Sequence, residues 1–206
     1  MKNKITFQNL SCLTLFFLGN LFVQAQIVTS NADDGSAGTL RSQITSASAG
    51  STITIDPLVT NIVLTSGQII IDKSLTLTRN GILNTTINGN NASRIFDITA
   101  GTVNLNDLTL TNGLADNGGA LQVVGANVIV NNTTISNSTA NGTSGSGGAI
   151  YIGTGATLLA TNTTITGNTA NRAGGGIESV AGTTITLTNV NLVMNNAGVA
   201  PAIAVP

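Results

Sequence analysis

Gly118-Gly119-Ala120-Leu121, Gly147-Gly148-Ala149-Ile150 and Gly174-Gly175-Gly176-Ile177 repeat one phrase, a glycine pair entering an apolar strand, at intervals of 29 and then 27 residues. That period is too long for a heptad and too short for a domain, so it indicates stacked structural repeats. A second column runs beside it. Ile87, Leu110, Ile135, Ile165 and Leu192 follow one another at spacings of 23, 25, 30 and 27, and three positions before them stand Asn84, Asp107, Asn132, Asn162 and Asn189. In a parallel stack, equivalent residues of successive coils lie about 4.8 Å apart. Amides at that spacing form a hydrogen-bonded ladder that also satisfies turn backbone. The glycines Gly118, Gly119, Gly147, Gly148, Gly174 and Gly175 are read as corners, where positive φ or close approach of neighbouring coils is required.

Working outward, Thr52–Ile55, Asn61–Thr65, Gln68–Ile71 and Ser74–Thr78 are short, β-branched runs separated by Gly, Pro, Asp or Asn turns. No helical pattern lies between them, which excludes a βαβ fold. Strands of this length suit the three faces of a coil. Unit length varies through one loop, and the longest insert is Ala140-Asn141-Gly142-Thr143-Ser144-Gly145-Ser146. Thr39 to Ala47 is the one segment with a small helical apolar face, Leu40, Ile44 and Ala47. It is placed to cap the first coil, whose core and backbone edge would otherwise be open. In the closing segment Ala200-Pro201-Ala202-Ile203-Ala204-Val205-Pro206 neither a capping helix nor a distinct domain is read, and the expectation is a solenoid truncated at its C-terminal end.

Only 7% of the 206 residues are charged, against about 25% in an ordinary globular chain. Asn, Thr, Gly and Ser carry the polarity, and such residues stack in columns without like-charge repulsion. Residues 1–25 read as a signal peptide: Lys2 and Lys4, an apolar run from Leu10 to Val23, then Val23-Gln24-Ala25 as the cleavage pattern. Residues 26–50 form the N-terminal strand and cap, and 51–206 the β-helix. Removing the signal takes Cys12, the one cysteine, and leaves five basic residues against eight acidic, a net charge of −3. Disulfides and thiolate metal sites are thereby excluded. Histidine is absent from the whole chain, which excludes histidine acid–base chemistry and histidine ligation. Few cations on an acidic chain exclude a nucleic-acid partner. No run after residue 25 is long enough to cross a membrane as a helix.

The segment from Val28 to Ile44, Val28-Thr29-Ser30-Asn31-Ala32-Asp33-Asp34-Gly35-Ser36-Ala37-Gly38-Thr39-Leu40-Arg41-Ser42-Gln43-Ile44, resembles the opening of bacterial right-handed parallel β-helix surface proteins. Gly89-Asn90-Asn91-Ala92-Ser93-Arg94-Ile95-Phe96-Asp97-Ile98 is similar to a second segment of the same proteins. The Gly-Gly-Ala-Ile units and Ile165-Thr166-Gly167-Asn168-Thr169-Ala170 resemble their repeats and, more distantly, those of polymorphic outer-membrane proteins. The resemblance spans roughly residues 27–195. It implies an all-β, right-handed parallel β-helix of the pectin-lyase-like kind, about six coils with a short capping helix. It also implies a secreted or outer-surface location, and an adhesive or binding role toward surface glycans or proteins of a host or neighbouring cell.

Pectin-lyase-like folds also host polysaccharide lyases and hydrolases, which need clustered carboxylates. The acidic residues after position 25 are Asp33, Asp34, Asp56, Asp72, Asp97, Asp107, Asp116 and Glu178, and only Asp33-Asp34 are adjacent. They are read as a turn with solvated carboxylates, weak Ca²⁺ binding being the other reading. Arg172 is placed in a turn with no acidic partner nearby in sequence. Phe96 is assigned to the core. Tyr151, in an alternating strand after a glycine pair, is placed toward solvent. The expectation is therefore a scaffold without catalysis and without a cofactor, a polysaccharide-binding or lyase-like protein being the alternative. A remote alternative is ice recognition by Thr109, Thr111, Thr134, Ser136, Thr164 and Thr166, although β propensity alone accounts for threonine in strands. The Asn-x-Thr matches at Asn84, Asn132 and Asn162 fall in the ladder column and are read as repeat composition rather than glycosylation sites.

Overall fold

A computed structural model of the chain describes residues 26–81, 83–198 and 203–204; the expected signal peptide lies outside them. The protein is a parallel β-solenoid of about six turns with one short helix near its start. The chain circles from a long face to a second face to a third face and back. The long face is a seven-stranded parallel sheet of Gln26–Val28, Ser51–Ile55, Leu75–Arg79, Thr102–Asn106, Asn127–Asn131, Thr157–Thr161 and Thr184–Thr188. The second face stacks Asn61–Val63, Thr85–Asn88, Leu108–Thr111, Thr134–Ser136, Thr164–Thr166 and Asn191–Val193. The third stacks Ile69–Ile71, Phe96–Ile98, Leu121–Val123, Ile150–Ile152, Ile177–Ser179 and Ile203–Ala204. Three faces were expected from the strand lengths, but a fourth exists. Leu114–Ala115, Thr139–Ala140, Thr169–Ala170 and Asn196–Ala197 pair as a narrow sheet between the second and third faces. Two-residue strands leave no alternation to read, so this face has no period-2 signal.

Alternation explains the core. In each strand one set of side chains points inward, and the parallel register stacks like upon like. Ile62, Ile87, Leu110, Ile135, Ile165 and Leu192 are successive partners on the second face. Ile69, Phe96, Leu121, Ile150 and Ile177 are partners on the third, and all five are buried. Each such side chain contributes about 1.5–3 kcal/mol of burial. The aliphatic stacks are therefore the main stabilising term, with the ladder hydrogen bonds fixing register.

The helix α1, Leu40–Ser46, turns Leu40 and Ile44 onto the first coil. Thr39 is its N-cap and accepts from Ser42 N–H at 3.3 Å. At the other end Lys73 Nζ donates to the carbonyls of Thr45 and Ala47, satisfying acceptors the short helix leaves open.

Candidate functional site

The residues that carry the repeat occupy the corners. Asp107, Asn132, Asn162 and Asn189 have φ of 58°, 48°, 51° and 52°, the left-handed region that short amide and carboxylate side chains tolerate. Asn132 Nδ2 donates to Asp107 Oδ1 at 2.7 Å, and Asn189 Nδ2 to Asn162 Oδ1 at 2.7 Å. Asn84 instead donates to the carbonyl of Leu108 at 3.2 Å. Gly118, Gly147 and Gly174 have φ of 59°, 66° and 60°. Their partners Gly119, Gly148 and Gly175 lie against the next coil, where a Cβ would meet Gly148 O at 2.5 Å, Gly175 O at 2.2 Å and Asn196 O at 2.3 Å. The first glycine of each pair thus supplies the turn and the second the close approach.

Sequence reading missed a buried polar column at the next corner. Asn168 is fully buried. Its Nδ2 donates to the carbonyls of Ile135 and Thr166 and to Asn195 Oδ1, and its Oδ1 accepts from Ser138 N–H at 2.9 Å. Asn195 Nδ2 donates in turn to Ile165 O, and Ser138 Oγ accepts from Gly113 N–H. The signal was present in Ser136-Asn137-Ser138, Thr166-Gly167-Asn168 and Val193-Met194-Asn195, whose middle residues all have positive φ.

Chemistry-bearing side chains converge on the third face. Register aligns Ile70, Asp97, Gln122, Tyr151 and Glu178 as one outward column. Arg94 organises its lower half. Its Nη1 donates to Gln68 Oε1 at 2.7 Å, its Nη2 to Gln122 Oε1 at 2.9 Å and to Asn117 O at 3.0 Å, and its Nε to Gly118 O at 3.1 Å. Asp97 lies 3.7 Å from Arg94 and accepts from Gln68 and Gln122. Burial works against the charge on Arg94, and the carboxylates of Asp97 and Asp116 oppose that effect.

The upper half corrects the expectation for Arg172. Its Nη2 donates to Glu178 Oε1 at 3.0 Å, six residues on, because the turn folds the intervening glycines back over the strand. The Glu178 side chain is 9% exposed, and among the described residues its Oε2 has no hydrogen-bond partner. Burial pushes its carboxyl up from the ordinary value of 4.5, with Arg172 opposing in part.

Beside this column the long insert forms one wall of an open cleft of about 480 Å³, lined by Asp116, Asn117, Asn141, Gly142, Thr143, Ser144 and Gly145. The two arginines tie cleft to column. Arg94 holds Asn117 O, and Arg172 donates through its backbone N–H to Gly145 O at 2.8 Å and through Nε to Ser144 O at 3.4 Å.

Asp33 needs a second correction. It is buried, not solvated. Arg41 Nε and Nη2 donate to its two oxygens at 2.8 and 3.0 Å, and Thr65 and Ser66 N–H donate to Oδ2 at 2.8 and 2.9 Å. Asp34 is exposed and accepts from Ser36 N–H. The two carboxylates therefore part company, one bolting the cap to the first coil. Phe96 is fully buried and Tyr151 half-buried at the surface. The threonine pairs of the second face are in register, with Ser136 Oγ donating to Thr111 Oγ1 at 3.1 Å.

No protein-family model, no curated protein and no solved structure matches this chain.

Proposed function

We propose that this chain is a secreted, cell-surface-associated scaffold of the right-handed, pectin-lyase-like type that binds extracellular ligands, surface glycans or neighbouring proteins, without performing chemistry on them. The observation that carries this reading is the third-face column with its cleft, where Asp97, Gln122, Tyr151 and Glu178 stand in line on a rigid sheet. A rigid frame presenting spaced polar groups and one aromatic ring favours binding, because little side-chain entropy is lost on contact.

The same geometry speaks against glycoside hydrolysis. Asp97 and Glu178 are three coils apart, about 14 Å at the usual strand spacing. Paired catalytic carboxyls stand about 5–9.5 Å apart. Asp97 is also occupied by Arg94, Gln68 and Gln122.

Labelled protein applied to cells and extracellular matrix is expected to bind saturably, and the double variant Gln122→Ala/Tyr151→Ala to lose binding while keeping its β-sheet spectrum. Reducing or unsaturated ends released from pectin or alginate by the purified protein would replace the binding reading with an enzymatic one.

A further inference from the structure

We infer that the open edge of the last described coil is a docking surface for a second copy of this chain, the two pairing edge to edge about a two-fold axis through Thr186. This surface is separate from the third-face column and does not depend on the binding reading above.

The edge is unpaired and unguarded. Among the described residues Thr184–Thr188 closes the seven-stranded sheet and pairs only with Thr157–Thr161. Its inward side chains, Ile185 and Leu187, stay partly exposed, whereas their partners one coil below, Leu158 and Ala160, are buried. Natural sheets blunt such edges with charge, proline or a bulge. From Ser179 to Gly198 this chain places no charged residue and no proline. The rim also turns apolar where lower coils are polar. Ser136 and Thr166 are followed in register by Val193, which is 39% exposed. The positive-φ corners Asn137 and Gly167 are followed by Met194, which is 86% exposed.

The backbone decides how a partner fits. Thr184 N–H donates to Ala156 O, and Thr188 O accepts from Asn162 N–H, both toward the coil below. Strand alternation then aims the N–H and C=O of Ile185 and Leu187 off the free edge. The strand Thr184-Ile185-Thr186-Leu187-Thr188 has the same polarity pattern read in either direction. A two-fold axis normal to the long face at Thr186 reverses strand direction and leaves inside and outside unchanged. Ile185 then lies opposite Leu187 of the partner subunit and exchanges both backbone hydrogen bonds with it. Threonine meets threonine on the outer surface, and apolar side chain meets apolar side chain within. An edge without charge offers a charged partner no complement, which favours a second neutral edge. Helix α1 covers the other end, with Leu40 and Ile44 buried on the first coil. Pairing therefore closes at two copies instead of running on as a filament.

The test is sedimentation velocity of the whole chain over a concentration series. A monomer–dimer equilibrium is expected. Thr186 is exposed and faces outward, so Thr186→Lys keeps the fold, which the β-sheet circular dichroism spectrum checks. It sets like charges on residues whose Cα atoms stand about 4.5 Å apart across the axis. The dimer is weakened about fivefold or more. Thr186→Glu acts the same way, and the two variants mixed recover the native affinity. Thr52→Lys, exposed toward the other end of the same face, changes nothing. A monomer at every concentration leaves the edge to another occupant, a further coil or a foreign strand, and overturns the proposal. A dimer indifferent to Thr186→Lys, a Lys/Glu mixture that stays apart, or growth past two copies overturns it as well.

Discussion

Asp33→Ala cuts the bolt between cap and solenoid. In the native chain the carboxylate takes two bonds from Arg41 and two from the backbone N–H groups of Thr65 and Ser66, and its side chain is 1% exposed. Removing it leaves Arg41 facing only the carbonyls of Gly67 and Gln68, with two N–H groups unpaired. Breaking a buried ion pair from one side costs about 3–5 kcal/mol. The Arg41 side chain is 21% exposed, so water recovers part of that loss and the lower end, about 3 kcal/mol, is expected. A solenoid's stability is a sum over neighbouring units, so the loss falls locally. Hydrogen exchange is the assay: amides of residues 26–71 lose protection while those of 102–188 keep theirs. Arg41→Met on top of Asp33→Ala recovers part of the loss, since no charge is left buried. A loss below about 1 kcal/mol, or uniform deprotection of every coil, would refute the bolt. The pH dependence has a definite sign. Burial pushes the Asp33 carboxyl up, but Arg41, Ser66 and Thr65 together outweigh it, and the net value is lowered from 3.8. Its contribution is therefore complete above that value and is lost as pH falls through the lower folded value. Asp33→Asn abolishes this segment of the acid transition.

Four further outcomes are expected. Gly148→Ala drives a Cβ to 2.2 Å from Gly175 O and 2.6 Å from Thr169 O, both backbone, and lowers stability by about 3 kcal/mol in denaturant titration. Gly155→Ala meets open space apart from Gly125 Cα at 3.8 Å and costs only the positive-φ strain, about 1–2 kcal/mol. Asn168→Leu orphans the buried Ser138 N–H, while Thr166 O keeps the Asn137 N–H; a loss of about 1–3 kcal/mol is expected, with exchange fastest around residues 135–170. Because burial raises the Glu178 carboxyl, the native state keeps its proton longer than the unfolded chain does. Stability therefore falls as pH rises from 4.5 through the higher folded value, and Glu178→Gln flattens that limb; carbon-detected NMR titration of the Glu178 carboxyl checks it.

The stacking was legible because it is periodic. The Ile87 to Leu192 column is the column of partners in the structure, and the glycine pairs are corners with positive φ followed by backbone contact. The third-face column was not legible, because its members share a position but not a residue type. Asp97, Gln122, Tyr151 and Glu178 align only once register is known. Arg172 and Glu178 are six residues apart, a distance at which a turn with two or three glycines decides contact and sequence alone does not. Asp33 was read as solvated because a polar loop usually is; its burial depends on Arg41 and on the loop at residues 65–68, which pack against it from a later part of the chain.

The insert at residues 140–146 lengthens one coil, yet Leu121 still pairs with Ile150 and Ile135 with Ile165 on either side of it. Loop length is thus decoupled from strand register. Doubling a loop costs only about 0.6 kcal/mol in closure entropy, while the insert is anchored at its two ends, by Ala140 pairing with Ala115 and Ala170 and by Ser146 bridging Ala173, and the three wider faces are stacked outside it. The wall of the cleft can be lengthened, shortened or rewritten without disturbing how the coils are counted. The surface at this corner can therefore diverge quickly on a body that stays the same, and the same corner is where a foreign loop would be grafted.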